Sequence, residues 1–208
     1  MVMSGLQSTE EAAMSRLQPK PREDLTPEQQ QAHDRIGEAR PVRADGTYGG
    51  PFDPWIRSPE LALRAVEFGR FLWERTLPRR LVELAILVTG RFWRSNVEWV
   101  AHVRLALENG VTESTIDDIW KQQTPTGAPE DERLVYEVAK NLHERHELSN
   151  ELYRRAVDRF GERGLVEIIG VIGFYTMVSM TLNAFRVPAT GVEKQPFDYS
   201  EVGPPKDR

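Results

Sequence analysis

Apolar residues recur at helical spacing over most of this chain, and nowhere do they alternate with polar ones as a half-buried strand requires, so the pattern predicts an all-α fold. Thr26-Pro27-Glu28-Gln29 combines an N-cap, a proline at the first helical position and a glutamine placed to close a capping box, which starts a helix running towards Ala39. Ser58-Pro59-Glu60 starts another, with Leu61, Ala65, Phe68 and Leu72 as its expected core-facing stripe. A further start falls at Thr76 to Pro78, ahead of Leu81 to Phe92. In that segment Leu84 to Val88 is apolar on every side, the mark of a central helix. Ser95 or Asn96 opens the next helix and Gly110 closes it. Thr112 caps another, with Val111 and Ile116 spaced as a hydrophobic staple. Pro125, Gly127 and Pro129 interrupt the chain before Glu130 to Glu144, whose Leu134, Val135, Val138 and Leu142 keep helical spacing. Ser149 caps a helix ending at Phe160-Gly161.

The segment from about Leu165 to Phe185 is nearly apolar all round and long enough to cross a bilayer. Glu167, Thr176, Ser179, Thr181 and Asn183 argue instead for a central core helix, or one shared between subunits through the close approach that glycines 170 and 173 permit. The expected architecture is one bundle of about seven or eight helices, with residues 1–22 as an N-terminal arm, 23–190 as the helical domain and 191–208 as a tail. A homo-oligomer is expected, as dimer, trimer or hexamer.

One stretch breaks the helical rhythm. Between Pro41 and Arg57 the chain carries Gly46, Gly49, Gly50, Pro51 and Pro54, a composition that forbids regular structure, together with Tyr48, Phe52 and Trp55. Such a loop either covers the core or, through Phe52 and Trp55, walls a ligand pocket.

Composition narrows the chemistry. The chain of 208 residues has no cysteine, which removes disulfides, thiolate nucleophiles and dithiol redox cycles. A formal net charge of -5 gives no support to nucleic-acid binding, and the first 20 residues, with Glu10, Glu11, Arg16 and Lys20, contain no apolar run of the signal-peptide or anchor kind. A cytoplasmic protein is expected, with a small molecule or another subunit as partner and neither nucleic acid nor membrane.

Glu98 and His102 stand four apart, one turn along the same helical face, where they can touch one substrate. Trp99, Val100, Ala101 and Val103 around them leave little of that helix for water. Glu83 lies among Leu81, Val82, Leu84, Ala85 and Ile86, and a carboxylate in such surroundings is costly without a partner. That partner is either a shared Glu/Glu/His site, where burial and neighbouring charge separate the pKa values, or Arg79 or Arg80 on its own helix. Arg94, just before the helix that starts near Ser95, could hold a substrate carboxylate at that positive helix end, or be an exposed charge. Tyr175 and Asn183 could turn a hydroxyl and an amide into a pocket, or be packed internally. His143, His146 and His33 are expected at solvated positions.

The residues from Arg80 to Leu87, followed by Glu98-Trp99-Val100-Ala101-His102 and Gly110-Val111-Thr112, resemble the core motif of the carboxymuconolactone decarboxylase and alkylhydroperoxidase D superfamily. Gly50-Pro51-Phe52, Ser58-Pro59-Glu60-Leu61-Ala62 and Leu182 to Pro188 resemble the longer members of the decarboxylase branch, so that the likeness spans roughly Leu25 to Pro188. In the peroxidase branch a glutamate precedes a Cys-x-x-Cys pair and a histidine. Here Glu83 and His102 match, but Ser95 and Glu98 stand at the cysteine positions, so thiol peroxidase chemistry is excluded.

The decarboxylase branch implies a helical homo-oligomer that acts without metal or organic cofactor on an anionic lactone. His102 is the expected proton donor or shuttle, Glu98 its orienting or proton-accepting partner, and Glu83 the holder of a second hydrogen bond. Arg94, Phe52, Trp55 and Tyr175 are the expected substrate contacts. Two other readings stay open: a metal-dependent enzyme using Glu83, Glu98 and His102 as ligands, and a non-catalytic ligand-binding or scaffold oligomer with the cluster as a buried polar network.

Overall fold

In a computed structural model, residues 15–38, 40–73 and 77–198 are described. Among them eight α-helices and no strands occur: α1 (Pro27–Gly37), α2 (Phe52–Trp55), α3 (Pro59–Trp73), α4 (Arg79–Phe92), α5 (Asn96–Glu108), α6 (Glu113–Trp120), α7 (Glu130–Arg145) and α8 (Asn150–Ala184). The expected helix end at Ala39, the start at Thr76 and most of the two arms lie outside the described residues. The chain forms two compact units, one made of the described residues up to Val66 and from Thr181 onward, the other of Glu67–Met180.

The second unit is built around α4. Ten consecutive residues, Leu81 to Gly90, are buried, and α5, α6 and α7 pack against this helix. A helix buried on every side has no polar face to spare, which is why its one ionisable group within that run, Glu83, must find partners inside the protein. α5 ends where the sequence expects: Asn109 is its C-cap, Gly110 takes φ +93°, and the N–H groups of Gly110 and Val111 return to the carbonyls of Leu107 and Ala106, a complete Schellman ending. Thr112 then caps α6 through Thr115 N–H, with Val111 and Ile116 both buried.

α8 is not one straight rod. Gly161, at φ +70° and ψ +167°, interrupts it where the sequence places a helix end. Beyond that break Leu165, Ile168, Ile172, Tyr175 and Val178 face inward, while Val166, Ile169 and Met180 are exposed. By length and composition α8 is the one helix among the described residues that could cross a membrane, and 56% of its most apolar window is buried within the chain.

The stripe expected on α3 is shifted. Ala65 and Leu72 are buried, but Leu61 and Phe68 are 43% exposed, and Ala62 is the buried neighbour. The packed face is a row of small residues. Gly69 lies so close to the Phe174 ring that a Cβ there would sit 3.1 Å from it, so Gly69 rather than Phe68 turns inward. Hydrophobicity patterns miss such faces because glycine and alanine carry little signal.

In the first unit the Thr26 capping box is complete, with side chain and backbone bonds in both directions. The loop from Pro41 to Arg57 is more regular than its composition suggests. Gly49 and Gly50, at φ +72° and +56°, reverse the chain, and the buried Asp53 carboxylate accepts the N–H groups of Tyr48 and Gly49. That clamp lets the single turn α2 form despite Pro51 and Pro54, both placed where no helical N–H is needed.

His33 and His143 are not solvated. His33 is 5% exposed and donates to the Gly46 carbonyl from Nε2. His143 is buried in the second unit, stacked on Phe92 at 4.5 Å. Thr89 Oγ1 already donates to the Ala85 carbonyl, so it accepts the His143 Nε2–H, and burial lowers the His143 pKa to about 4.

Candidate active site

Antiparallel packing of α4 and α5 brings the expected trio together. Gly90 permits this closeness, since a Cβ at that position would lie 3.1 Å from Cβ of Glu98. Two turns earlier on the same face of α4, Glu83 Oε2 accepts a hydrogen bond from His102 Nδ1 at 2.6 Å. The other ring nitrogen, Nε2, lies 3.3 Å from Glu98 Oε2, the i, i+4 neighbour on α5. Glu83, Glu98 and His102 are 0%, 5% and 6% exposed, so the three form one buried unit.

Both sequence alternatives for Glu83 turn out to hold at once. Its second oxygen, Oε1, is 2.5 Å from Nη2 of Arg79, while Arg80 turns away to Asp131 and Glu132 on α7. The Arg79 guanidinium also sits over the Trp73 ring, its central carbon 3.2 Å from the centroid. Trp73 stands edge-to-face with His102 at 6.2 Å, Tyr175 does the same at 5.2 Å, and Trp73 Nε1 donates to the Tyr175 oxygen at 2.8 Å. The imidazole therefore has a carboxylate at each nitrogen and the steeply inclined rings of Trp73 and Tyr175 beside it.

Burial alone would push the His102 pKa down. The hydrogen bonds and charges of Glu83 and Glu98 outweigh it and raise the pKa to about 9, so the ring is an imidazolium at neutral pH. Its two sides are unequal. Glu83 is tight and fully buried, with Arg79 beside its other oxygen. Glu98 is looser, its Oε2 3.3 Å from Nε2. Glu83 thus holds Nδ1 more closely than Glu98 holds Nε2.

Among the described residues no three His, Asp or Glu side chains are disposed to hold a metal ion. Each nitrogen of the His102 ring faces a carboxylate oxygen.

Of the expected substrate contacts, Tyr175 lies against His102. Arg94 sits one residue before the N-cap Ser95 with φ +51°, and its charge lowers the pKa of Arg91 after burial has done so. The arginine in contact with the cluster is Arg79. Phe52 and Trp55 belong to the first unit, where they stand edge-to-face at 5.7 Å, and Trp55 Nε1 donates to Thr181. Their loop walls a cavity of about 290 Å³ there, through Arg43, Gly49, Gly50, Asp53 and Pro54. Sequence reasoning missed Trp73 as a site residue, and considered Arg79 only as a competing partner of Glu83. The one available signal was the position of Arg79, one turn before Glu83.

Residues 59–141 match the family model described as the carboxymuconolactone decarboxylase family, so the resemblance read from the core motif is shown over that segment. Among solved structures, a variant of the debrominase Bmp8 in complex with 2,3,4-tribromopyrrole is similar, with a TM-score of 0.66, 14% identity, and coverage of 86% of this chain and 94% of that one. At that identity the likeness is one of fold, the all-α alkylhydroperoxidase D-like fold. No curated protein matches.

Proposed function

We propose that this chain is an enzyme of the carboxy-lyase or isomerase type that moves a proton at carbon in a small carboxylated lactone or a related product of aromatic degradation, without a thiol and without a cofactor. The observation that carries this reading is the buried Glu83–His102–Glu98 row with its proton resting on the imidazole. Loss of carbon dioxide breaks a C–C bond and leaves its electron pair on the substrate. The imidazolium supplies the proton that ends at carbon, passing it from Nε2 directly or by way of Glu98. Glu83 keeps the ring oriented and compensates its charge throughout, with Arg79 holding Glu83. In the isomerase variant Glu98 removes a proton from one carbon, and the imidazolium returns one to another. The fold likeness to a debrominase bound to a small flat ring supports a substrate of that size class.

Metal dependence is less favoured because both imidazole nitrogens face carboxylates. A cytoplasmic, self-associating protein with an anionic substrate completes the proposal. The test is a panel of carboxylated lactones and unsaturated acids, assayed for carbon dioxide release and for double-bond shift. Wild type should turn over at least one, and His102→Ala should abolish turnover while keeping the helical circular dichroism. A fully active His102→Ala protein sinks the assignment.

A further inference from the structure

Proton transfer at carbon leaves the other end of the reaction to be accounted for. When a C–H or C–CO2 bond beside a carbonyl breaks, its electron pair becomes a new C=C bond and the carbonyl π pair moves onto oxygen. An oxyanion forming in a buried site next to two glutamates needs a donor aimed at it.

Tyr175 has such a donor to spare. It is 5% exposed, and its oxygen accepts the Trp73 Nε1–H bond, yet among the described residues nothing accepts the phenol's own proton. Its ring stands nearly perpendicular to that of His102, 5.2 Å away between centroids, so that O–H lies within the span of one small molecule from the imidazole. Burial first, then the charge of Glu98, raises the phenol pKa well above its ordinary value, so the group keeps its proton and acts as a donor, never as a phenolate. The Trp73 N–H polarises it in the donating direction. Trp73 is itself 38% exposed, which puts the outer edge of this dyad at the protein surface.

We propose that Tyr175, braced by Trp73, donates a hydrogen bond to the carbonyl oxygen of the substrate as that oxygen becomes an enolate. The site then selects compounds whose reacting carbon is conjugated to a carbonyl, as in an unsaturated lactone or keto acid, over simple carboxylic acids. The step is balanced: the enolate oxygen takes the hydrogen bond but not the tyrosine proton, the proton ending on carbon comes from His102, and carbon dioxide or the abstracted proton leaves. This deepens the acid–base reading of Glu98 and His102 and rests on it.

Tyr175→Phe removes a single oxygen and keeps the ring. On a lactone that wild type turns over, kcat should fall about 100-fold or more with KM within about threefold, the pattern of a contact made in the transition state. Trp73→Phe should give a smaller fall and add little in the double variant, because its effect passes through Tyr175. A packing role would lower stability and spare kcat. The binding arm uses 4-nitrophenol as an enolate mimic, read from its absorbance band. Wild type should bind the phenolate form, and Tyr175→Phe about tenfold more weakly, while nitrobenzene binds both alike. Equal phenolate binding by the two proteins, no phenolate binding by wild type, or an unchanged kcat each overturn the proposal. Tyrosine-dependent phenolate binding without turnover of any lactone would uphold the donor and sink the reaction assignment instead.

Discussion

Replacing Glu98 by glutamine keeps the shape of the site but removes one of the two charges that hold the proton on His102. The rise of the His102 pKa from 6.5 to about 9 amounts, at about 1.4 kcal/mol for each tenfold change in proton affinity, to about 3 kcal/mol of stability linked to that proton. Because the folded pKa lies above the unfolded one, this stability is fully present below pH 6.5 and is lost as pH rises through about 9. A unit charge 3.3 Å away is worth several kcal/mol even at an effective dielectric of about 20. Glu98→Gln should therefore lower the His102 midpoint by at least roughly one pH unit, and reduce the loss of stability between pH 6.5 and 9.5 by about 1.4 kcal/mol or more. Imidazole NMR titration gives the midpoint, and urea unfolding at the two pH values gives the stability. A wild-type midpoint near 6.5, or one that Glu98→Gln leaves in place, would mean that Glu98 does not hold the His102 proton.

Glu83→Ala strands the Arg79 guanidinium and frees one side of the imidazole, so it should cost about 3 kcal/mol in urea unfolding as well as activity. Gly90→Ala should push Glu98 by a few tenths of an ångström, losing about tenfold in kcat with stability changed by less than about 1 kcal/mol; an unchanged kcat would mean that this approach does not position Glu98. His143 has the opposite linkage. Its folded pKa lies below the unfolded value, so its stability is present above pH 6.5 and lost as pH falls towards about 4, up to about 2 kcal/mol between pH 7 and 5. His143→Phe should flatten that acid limb in denaturant titrations. The expected self-association is tested by light scattering after chromatography: Val166→Glu with Ile169→Glu, on the exposed apolar face of α8, should shift an oligomer towards monomer, and an unchanged mass would exclude that face.

What could be read beforehand follows from how far each signal travels along the chain. The all-apolar run of α4, the caps at Thr26 and Thr112 and the stop at Gly110 are local, and each appears where the pattern puts it. Glu98 and His102 were legible because helical spacing alone makes them neighbours. Glu83 needed the family resemblance, since its bond to His102 crosses between helices. Trp73 and Tyr175 meet His102 from α3 and α8, over separations no periodicity records. The burial of His143 escaped notice for the same reason, because Thr89 and Phe92 come from a different helix.

If the Glu83–His102–Glu98 row transfers a proton to substrate carbon, that proton is drawn from solvent and can be labelled. The most direct measurement is to run the turnover of an unsaturated carboxylated lactone in deuterium oxide and locate the label by NMR. Wild type should place one deuterium on the carbon that lost carbon dioxide or received the shifted double bond's proton, and His102→Ala should place none above the uncatalysed rate. Label incorporation that is equal in the two proteins would contradict the account.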